Sequence, residues 1–238
     1  MPNLDYFILG EGPVVLFLHG WGQNKEMMLS LANRLKRNYK CILVDMPGFG
    51  SSDYNGEKSL DEYCKSIHDF LLLKLHVKPD YIVGHSFGGK VALHYYLKYR
   101  TVSGLVLVAS PVLKPVRRLK YYINLYLYKI KKHLKIKNDM GSSDYKSSGD
   151  MKNFFVHVVN SHYDKCLKSV YIPVLLVYSK EDEKVDFRKA KKLKRKIKKS
   201  KLKVIKGDHF AYLSNEKIIS MEINSFIKEN GVNREYYL

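Results

Sequence analysis

The chain has 238 residues, 45% of them apolar, which suits one α/β domain with a modest insertion and leaves too little length for two independent large domains. Its formal net charge of +19 is of the kind that draws anionic partners, whether nucleic acid, anionic lipid, an acidic carrier protein or an anionic substrate, but the plainer reading of a solvated lysine-rich face is preferred. No apolar run approaches the roughly 18 residues of a spanning helix, and the first residues lack a basic and then apolar leader, so a cytoplasmic protein is expected.

An apolar run at 14–18 reads as a buried strand, followed by the loop His19-Gly20-Trp21-Gly22 and a helix over about 26–37. A second buried strand, 41–44, ends at Asp45 and a Pro47-Gly48-Phe49-Gly50 turn. A helix follows over about 60–75, then a strand at 81–83. Next comes Gly84-His85-Ser86-Phe87-Gly88-Gly89, opening a helix through Tyr99 in which Val91, Tyr95 and Tyr96 recur at helical spacing. Strand 104–109 closes this first run of alternation, which resumes with strand 174–178, helix 187–199, strand 202–205 and a helix over about 215–229. Strands apolar on both faces, alternating with helices, predict an α/β fold: a mostly parallel central sheet covered on both sides.

Residues 112–172 interrupt that alternation and are expected to form a helical cap over the site, leaving 1–111 and 173–238 as the core domain. Within the insertion Leu119, Tyr122, Ile123, Tyr126, Leu127, Ile130 and Leu134 fall on one helical face, with Tyr122 and Tyr126 expected to contact substrate. A polar linker over 141–149 follows. Phe187, Ala190, Leu193 and Ile197 form a stripe on the second basic helix, whose cationic outer face reads as solvated. Nucleic-acid binding is not expected, because a positive face alone supplies only salt-sensitive attraction.

The chemistry centres on Ser86. A serine between strand and helix turns sharply, and small residues two before and two after it, Gly84 and Gly88, keep neighbouring side chains out of the turn. Its hydroxyl needs a base and a group to orient that base. Of nine histidines only His209 lies beyond the carboxylates that follow strand 174–178, and it sits in a glycine-bearing loop after the last strand. For the acid Asp182 is best placed, with Glu181, Glu183 and Asp186 as rivals. The amide of Phe87 opens a helix and that of Trp21 follows a strand, so both are candidate backbone donors to an oxyanion, while the Trp21 indole would wall the acyl pocket. His19 is expected to tie its loop down by hydrogen bonds. Cys41, Cys64 and Cys166 have neither zinc spacing nor disulfide density and are expected to be reduced thiols.

Taken together, His19-Gly20-Trp21-Gly22, the run Asp45 to Ser52, Gly84 to Gly89, Asp182 and Gly207-Asp208-His209 make the chain resemble the α/β-hydrolase superfamily in its cap-bearing serine esterase-like branch. The resemblance covers about residues 12–228 apart from the insertion. It implies a Ser86, His209, Asp182 catalytic triad with the Trp21 and Phe87 amides as oxyanion hole, and ester cleavage through an acyl-enzyme without metal or organic cofactor. Ser179, where such proteins often have glycine, and Asp208, where a small residue is common, depart from the pattern. A serine at the elbow argues against dehalogenases and epoxide hydrolases, which use aspartate there. Three readings follow: a carboxylesterase for small or medium acyl esters; a hydrolase of methyl esters, thioesters or lipid esters recruited by the basic insertion, as in the resembling methyl esterases of biotin synthesis; and a non-catalytic binding protein on a hydrolase scaffold, against which an intact triad speaks.

Overall fold

The protein is described by a computed structural model over residues 3–115 and 142–231. Seven strands form one sheet: β1 (Tyr6–Leu9), β2 (Val14–Leu18), β3 (Lys40–Val44), β4 (Tyr81–His85), β5 (Gly104–Val108), β6 (Val174–Ser179) and β7 (Ser200–Ile205). They lie in the order β1-β3-β2-β4-β5-β6-β7. Strands β2 to β7 run parallel and β1 pairs antiparallel with β3. Every residue of β4, β5 and β6 is buried, as expected for central strands covered on both faces. The edge strand β7 carries Lys201 and Lys203, charges that discourage pairing with another chain.

The helices are α1 (Leu29–Leu35), α2 (Leu60–Asp69), α3 (Phe87–Tyr99), α4 (Ser143–Lys146), α5 (Lys152–Asn160), α6 (Phe187–Lys196), α7 (Ala211–Ser214) and α8 (Glu216–Asn230). On one face Tyr63, Val91, Phe154 and Leu193, from α2, α3, α5 and α6, pack on the sheet. On the other, Leu31 and Leu35 of α1 meet Ile219, Ile223 and Phe226 of α8. Helix α2 starts at a reciprocal cap: Ser59 Oγ accepts the Glu62 amide at 3.2 Å and the Glu62 carboxylate accepts the Lys58 amide at 2.7 Å. No helix among the described residues is long and apolar enough to cross a membrane.

The structure departs from the sequence reading at the ends and in the insertion. β1 went unread because it is a four-residue, half-exposed edge strand with no buried run. Strand 104–109 stops a residue early, where Ala109 turns out at φ 46°. Helix 187–199 stops at Lys196, since Ile197 is extended while its side chain still packs in the core. The expected linker at 141–149 contains α4, capped by Ser142, whose hydroxyl accepts the Tyr145 amide at 3.2 Å. Tyr122, Tyr126 and the rest of the basic helix lie outside the described residues.

β2 and β4 are spatial neighbours although β3 separates them in sequence, so the chain leaves their carboxyl ends in opposite directions and opens a crevice there. The turn after β3 forms one side of it. Asp45, 1% exposed, accepts the amides of Lys25 at 2.6 Å and Ser51 at 2.9 Å, and the ammonium of Lys25 at 3.0 Å. Lys25, 5% exposed, also bonds Asp5 at 2.9 Å. Burial opposes its charge, but the hydrogen bonds to Asp5, Asp45 and Glu26 outweigh burial and raise the ammonium above its ordinary value. Lys25→Met removes the countercharge of a buried carboxylate and is expected to lower the unfolding free energy in urea by about 2 kcal/mol, between the values for exposed and fully buried pairs. A loss below about 0.5 kcal/mol would show that Asp45 regains water instead.

Candidate active site

Ser86 links β4 to α3 in a backbone conformation, φ 50° and ψ −111°, that side-chain-bearing residues avoid. Holding it costs about 1–3 kcal/mol. The surroundings fix it: the Ser86 amide donates to Val108 O at 2.8 Å, and its carbonyl accepts the Gly89 amide at 3.1 Å. A Cβ at Gly84 would strike the Gly88 carbonyl and one at Gly88 would strike the Leu18 carbonyl, so both turns of backbone approach closely because those residues lack side chains.

Two loops at the same sheet edge bring Asp182 and His209 to this serine. His209 Nε2 lies 2.9 Å from Ser86 Oγ and its Nδ1 lies 2.8 Å from Asp182 Oδ2. The other carboxylate oxygen of Asp182 accepts the amides of Lys184 at 2.8 Å and Val185 at 2.9 Å. Burial works to raise the Asp182 carboxyl, yet the bonds from His209, Val185 and Lys184 prevail and lower it. The rival carboxylates are turned elsewhere. Glu181 accepts the Gly207 amide at 2.8 Å, Asp186 caps α6 and pairs with Arg188 at 2.7 Å, and Glu183 is exposed. Asp208 accepts the Phe210 amide at 2.8 Å, so it shapes the histidine loop rather than bonding the ring.

Ser179 and His85, neither of which stands out as functional in the sequence, brace these loops. Ser179 Oγ donates to the Gly207 carbonyl and accepts the Glu181 amide at 3.0 Å, joining the loops that carry Asp182 and His209. His85 Nε2 donates to the His209 carbonyl at 3.0 Å. Burial, reinforced by the adjacent His209, pushes His85 down to about 3, so it is neutral near pH 7 and adds no positive charge beside His209. His19 is also buried and lowered to about 4. It accepts the Met46 amide at Nε2, 3.0 Å away, and donates from Nδ1 to the Gly20 carbonyl at 2.8 Å, which fixes the loop before Trp21.

Among the described residues the amides of Trp21 and Phe87 have no protein acceptor. Phe87 is the first residue of α3, a position whose amide has no helix carbonyl one turn back to bond. Its ring is buried against Trp21, Phe49, Tyr63 and Phe154. Trp21 also meets Phe155 of α5 at 4.8 Å between ring centroids. A chamber of about 180 Å³ holds Ser86 and His209, with Trp21, Pro111, Val185 and Phe210 as apolar walls and Asp144 and Lys184 at its polar side. A second cavity, about 450 Å³, shares Trp21 and is bounded by Phe49, Tyr54, Ser148, Asp150 and Met151. The α4 and α5 contributors escape sequence reading because a polar linker hides them, though the Phe154-Phe155 pair was the available signal.

Among the described residues no group of three His, Cys, Asp or Glu side chains is arranged to hold a metal ion. Cys41 and Cys64 are buried thiols raised by burial, Cys41 to about 12, and Cys166 is exposed.

A family model for the alpha/beta hydrolase fold matches residues 13–129. Monoacylglycerol lipase ABHD6 of Homo sapiens is 41% identical over 103 residues, which are 42% of this chain and 31% of that protein. The pimeloyl-acyl-carrier-protein methyl ester esterase of Vibrio vulnificus is 38% identical over 109 residues, 45% of this chain and 41% of the esterase. The matches thus span well under half the length of these two curated relatives. Over nearly the whole chain, 95% of it and 96% of its counterpart, the fold matches an esterase from Exiguobacterium antarcticum with a TM-score of 0.76 at 21% identity.

The lowered Asp182 carboxyl has a consequence for stability. It releases its proton more readily folded than unfolded, so it stabilises the fold above the ordinary carboxylate value, and that contribution is lost as pH falls through the folded value. Urea unfolding followed downward from about pH 6 through the carboxylate range near 4 should therefore show a steeper acid decline in the wild type than in Asp182→Asn. Parallel curves would remove this carboxylate from the acid limb.

Proposed function

The chain belongs to the α/β-hydrolase superfamily, and from that premise we propose that it is a serine hydrolase that cleaves carboxylic esters through an acyl-enzyme. The observation that carries this reading is the unbroken line of hydrogen bonds from Ser86 Oγ through His209 to Asp182. In this reading His209 Nε2 takes the hydroxyl proton as Ser86 Oγ forms its bond to the ester carbonyl carbon, and Asp182 holds the ring and stabilises the imidazolium. The carbonyl oxygen gains negative charge and is received by the Trp21 and Phe87 amides. The tetrahedral intermediate then collapses, the carbon to alkoxy oxygen bond breaks, and His209 returns the proton to the departing alcohol. Water repeats the sequence on the acyl-serine, giving the acid and restoring Ser86.

The two cavities support an ester with one compact side at Ser86 and a larger side reaching past Trp21. Residues 112–172 serve as cap and 1–111 with 173–238 as catalytic core in this reading. A lipid ester or a carrier-borne acyl ester is the second reading, supported by the net charge of +19, which draws anionic surfaces, and by the names of the two curated relatives. Hydrolysis rates across p-nitrophenyl esters of rising chain length, with monoacylglycerol and acyl-carrier methyl esters alongside, separate the two. A preference for free short esters upholds the first and a large preference for carrier or glyceride esters the second.

Fluorophosphonate treatment should place a single covalent adduct on Ser86 by mass spectrometry. Ser86→Ala, His209→Ala and the double variant should lose activity to a similar extent, because the residues act as one unit. Asp182→Asn should lose about 10³–10⁴-fold in kcat with little change in fold. Retained activity in Ser86→Ala, or an adduct confined to another residue, would defeat the assignment.

A further inference from the structure

Lys90 stands one turn beyond Ser86 on α3 and is 3% exposed. Lysines are almost never buried so deeply without a paired charge, yet among the described residues no carboxylate pairs with this one. Its ammonium donates instead to the Val158 carbonyl, 2.7 Å away in the last turn of α5. Helix carboxyl ends carry partial negative charge on their unpaired carbonyls, so a cation there is favourably placed. Val158 O already receives the Ser161 amide at 3.2 Å, so the lysine is not needed to satisfy that oxygen.

The bond connects parts that matter to the reacting serine. Helix α5 begins directly after Met151, and Met151, Asp150 and Ser148 bound the second cavity. Its Phe154 stacks on Tyr63 at 4.5 Å and its Phe155 meets Trp21, the wall common to both cavities. We propose that Lys90 is a positioning residue whose buried ammonium fastens the carboxyl end of α5 to the helix that starts at Ser86, and thereby sets the cavity that receives the larger part of the substrate. The substrate clause rests on the ester hydrolase reading; the fastening does not.

Burial, with Lys189 of α6 adding a like charge, lowers the Lys90 ammonium to about 8. The other charged groups around it are engaged or outward: Asp61 of α2 bonds His94 and Lys98, Asp164 bonds Lys192, and His157 of α5 is exposed. As pH rises through about 8 the ammonium becomes an amine, a weaker donor, and the hold relaxes. The effect on stability has the opposite sign. A lysine lowered by folding destabilises the fold below its folded value, and that penalty fades as pH rises towards the ordinary lysine value of about 10.4.

Lys90→Met in the full chain separates positioning from packing. Trp21 is the only tryptophan, so its emission and its quenching by acrylamide report on the α5 contact without any need for hydrolysis. In the wild type both should change with a midpoint near pH 8; in Lys90→Met that transition should be absent, with the signal resembling the wild type at high pH. At neutral pH the variant should keep or raise its Tm. Its KM for a long-chain p-nitrophenyl ester should rise about tenfold with kcat within about twofold, and its acetyl ester kinetics should hardly move, the pattern of lost binding rather than lost chemistry. A lowered Tm with unchanged KM, or a Trp21 signal that titrates identically in both proteins, would overturn the proposal and leave Lys90 a packing residue. Absence of hydrolysis in both proteins, with the Trp21 difference present, would count against the ester hydrolase reading and uphold the fastening.

Discussion

The whole arrangement hangs on one strained residue. Ser86 adopts φ 50° and ψ −111° because β4 ends there, α3 begins there, and the neighbouring backbone of Leu18, Gly88 and Val108 leaves no other path. About 1–3 kcal/mol of backbone strain is tolerable only where packing over-determines the conformation. The sheet supplies that: β4 lies between β2 and β5, and both neighbours are buried almost throughout. The strain projects the hydroxyl above the sheet edge and leaves the Phe87 amide at the open end of a helix, so one turn positions two chemical groups.

The remaining groups arrive on loops, which need bracing of their own. His209 and Asp182 are 27 residues apart in sequence and come from the ends of different strands. Ser179 binds one loop to the other, and His85 grips the His209 backbone from below. The low value of His85 keeps a positive charge away from the His209 ring, whose centroid lies 5.0 Å from its own. A neutral imidazole is the polar brace that this position tolerates. Ser179, which departs from the glycine common in similar proteins, gains a hydrogen-bonding hydroxyl that glycine lacks.

Much of the sheet was legible because its inner strands are apolar on both faces, a pattern that a solvated strand does not produce. Ser86 was legible because strand, small residues and helix follow one another without a gap. Asp182, the carboxylate that bonds His209, was legible only as the best placed of four, since Glu181, Asp182, Glu183 and Asp186 crowd six positions and side-chain direction distinguishes them. β1 was lost for want of a buried run, and α5 because a short helix after a polar stretch has little periodicity to read. Lys90 was invisible for a different reason. A lysine beside Gly89 in a lysine-rich chain reads as solvated, and its partner oxygen lies 68 residues away.

The burial pattern shows where the fold accepts electrostatic cost. Among the described residues the buried Asp, Glu, His and Lys side chains are His19, Lys25, Asp45, Glu57, His85, Lys90, Asp182 and His209. Most follow the carboxyl end of a parallel strand or sit on the turn or helix directly beyond it; His85 is the last residue of β4, Glu57 lies further on and bonds Ser66 of α2, and the buried polar side chains elsewhere include the neutral hydroxyls of Ser200 and Ser220. Burying an ionisable group opposes its charged form, so a chain shaped by stability alone would spread such groups over the solvent face. Their gathering near the carboxyl ends of the strands coincides with the place where Ser86, His209 and Asp182 meet, while many of the described lysines elsewhere are exposed. Within the inner layer the cations and anions differ in duty: Lys25 neutralises Asp45 to hold a turn, whereas Lys90 has no anion and spends its charge on a helix end. That asymmetry separates the wall of the crevice built on β3 from the wall carried by α5, where Lys90 adds a charged donor from the helix that starts at Ser86.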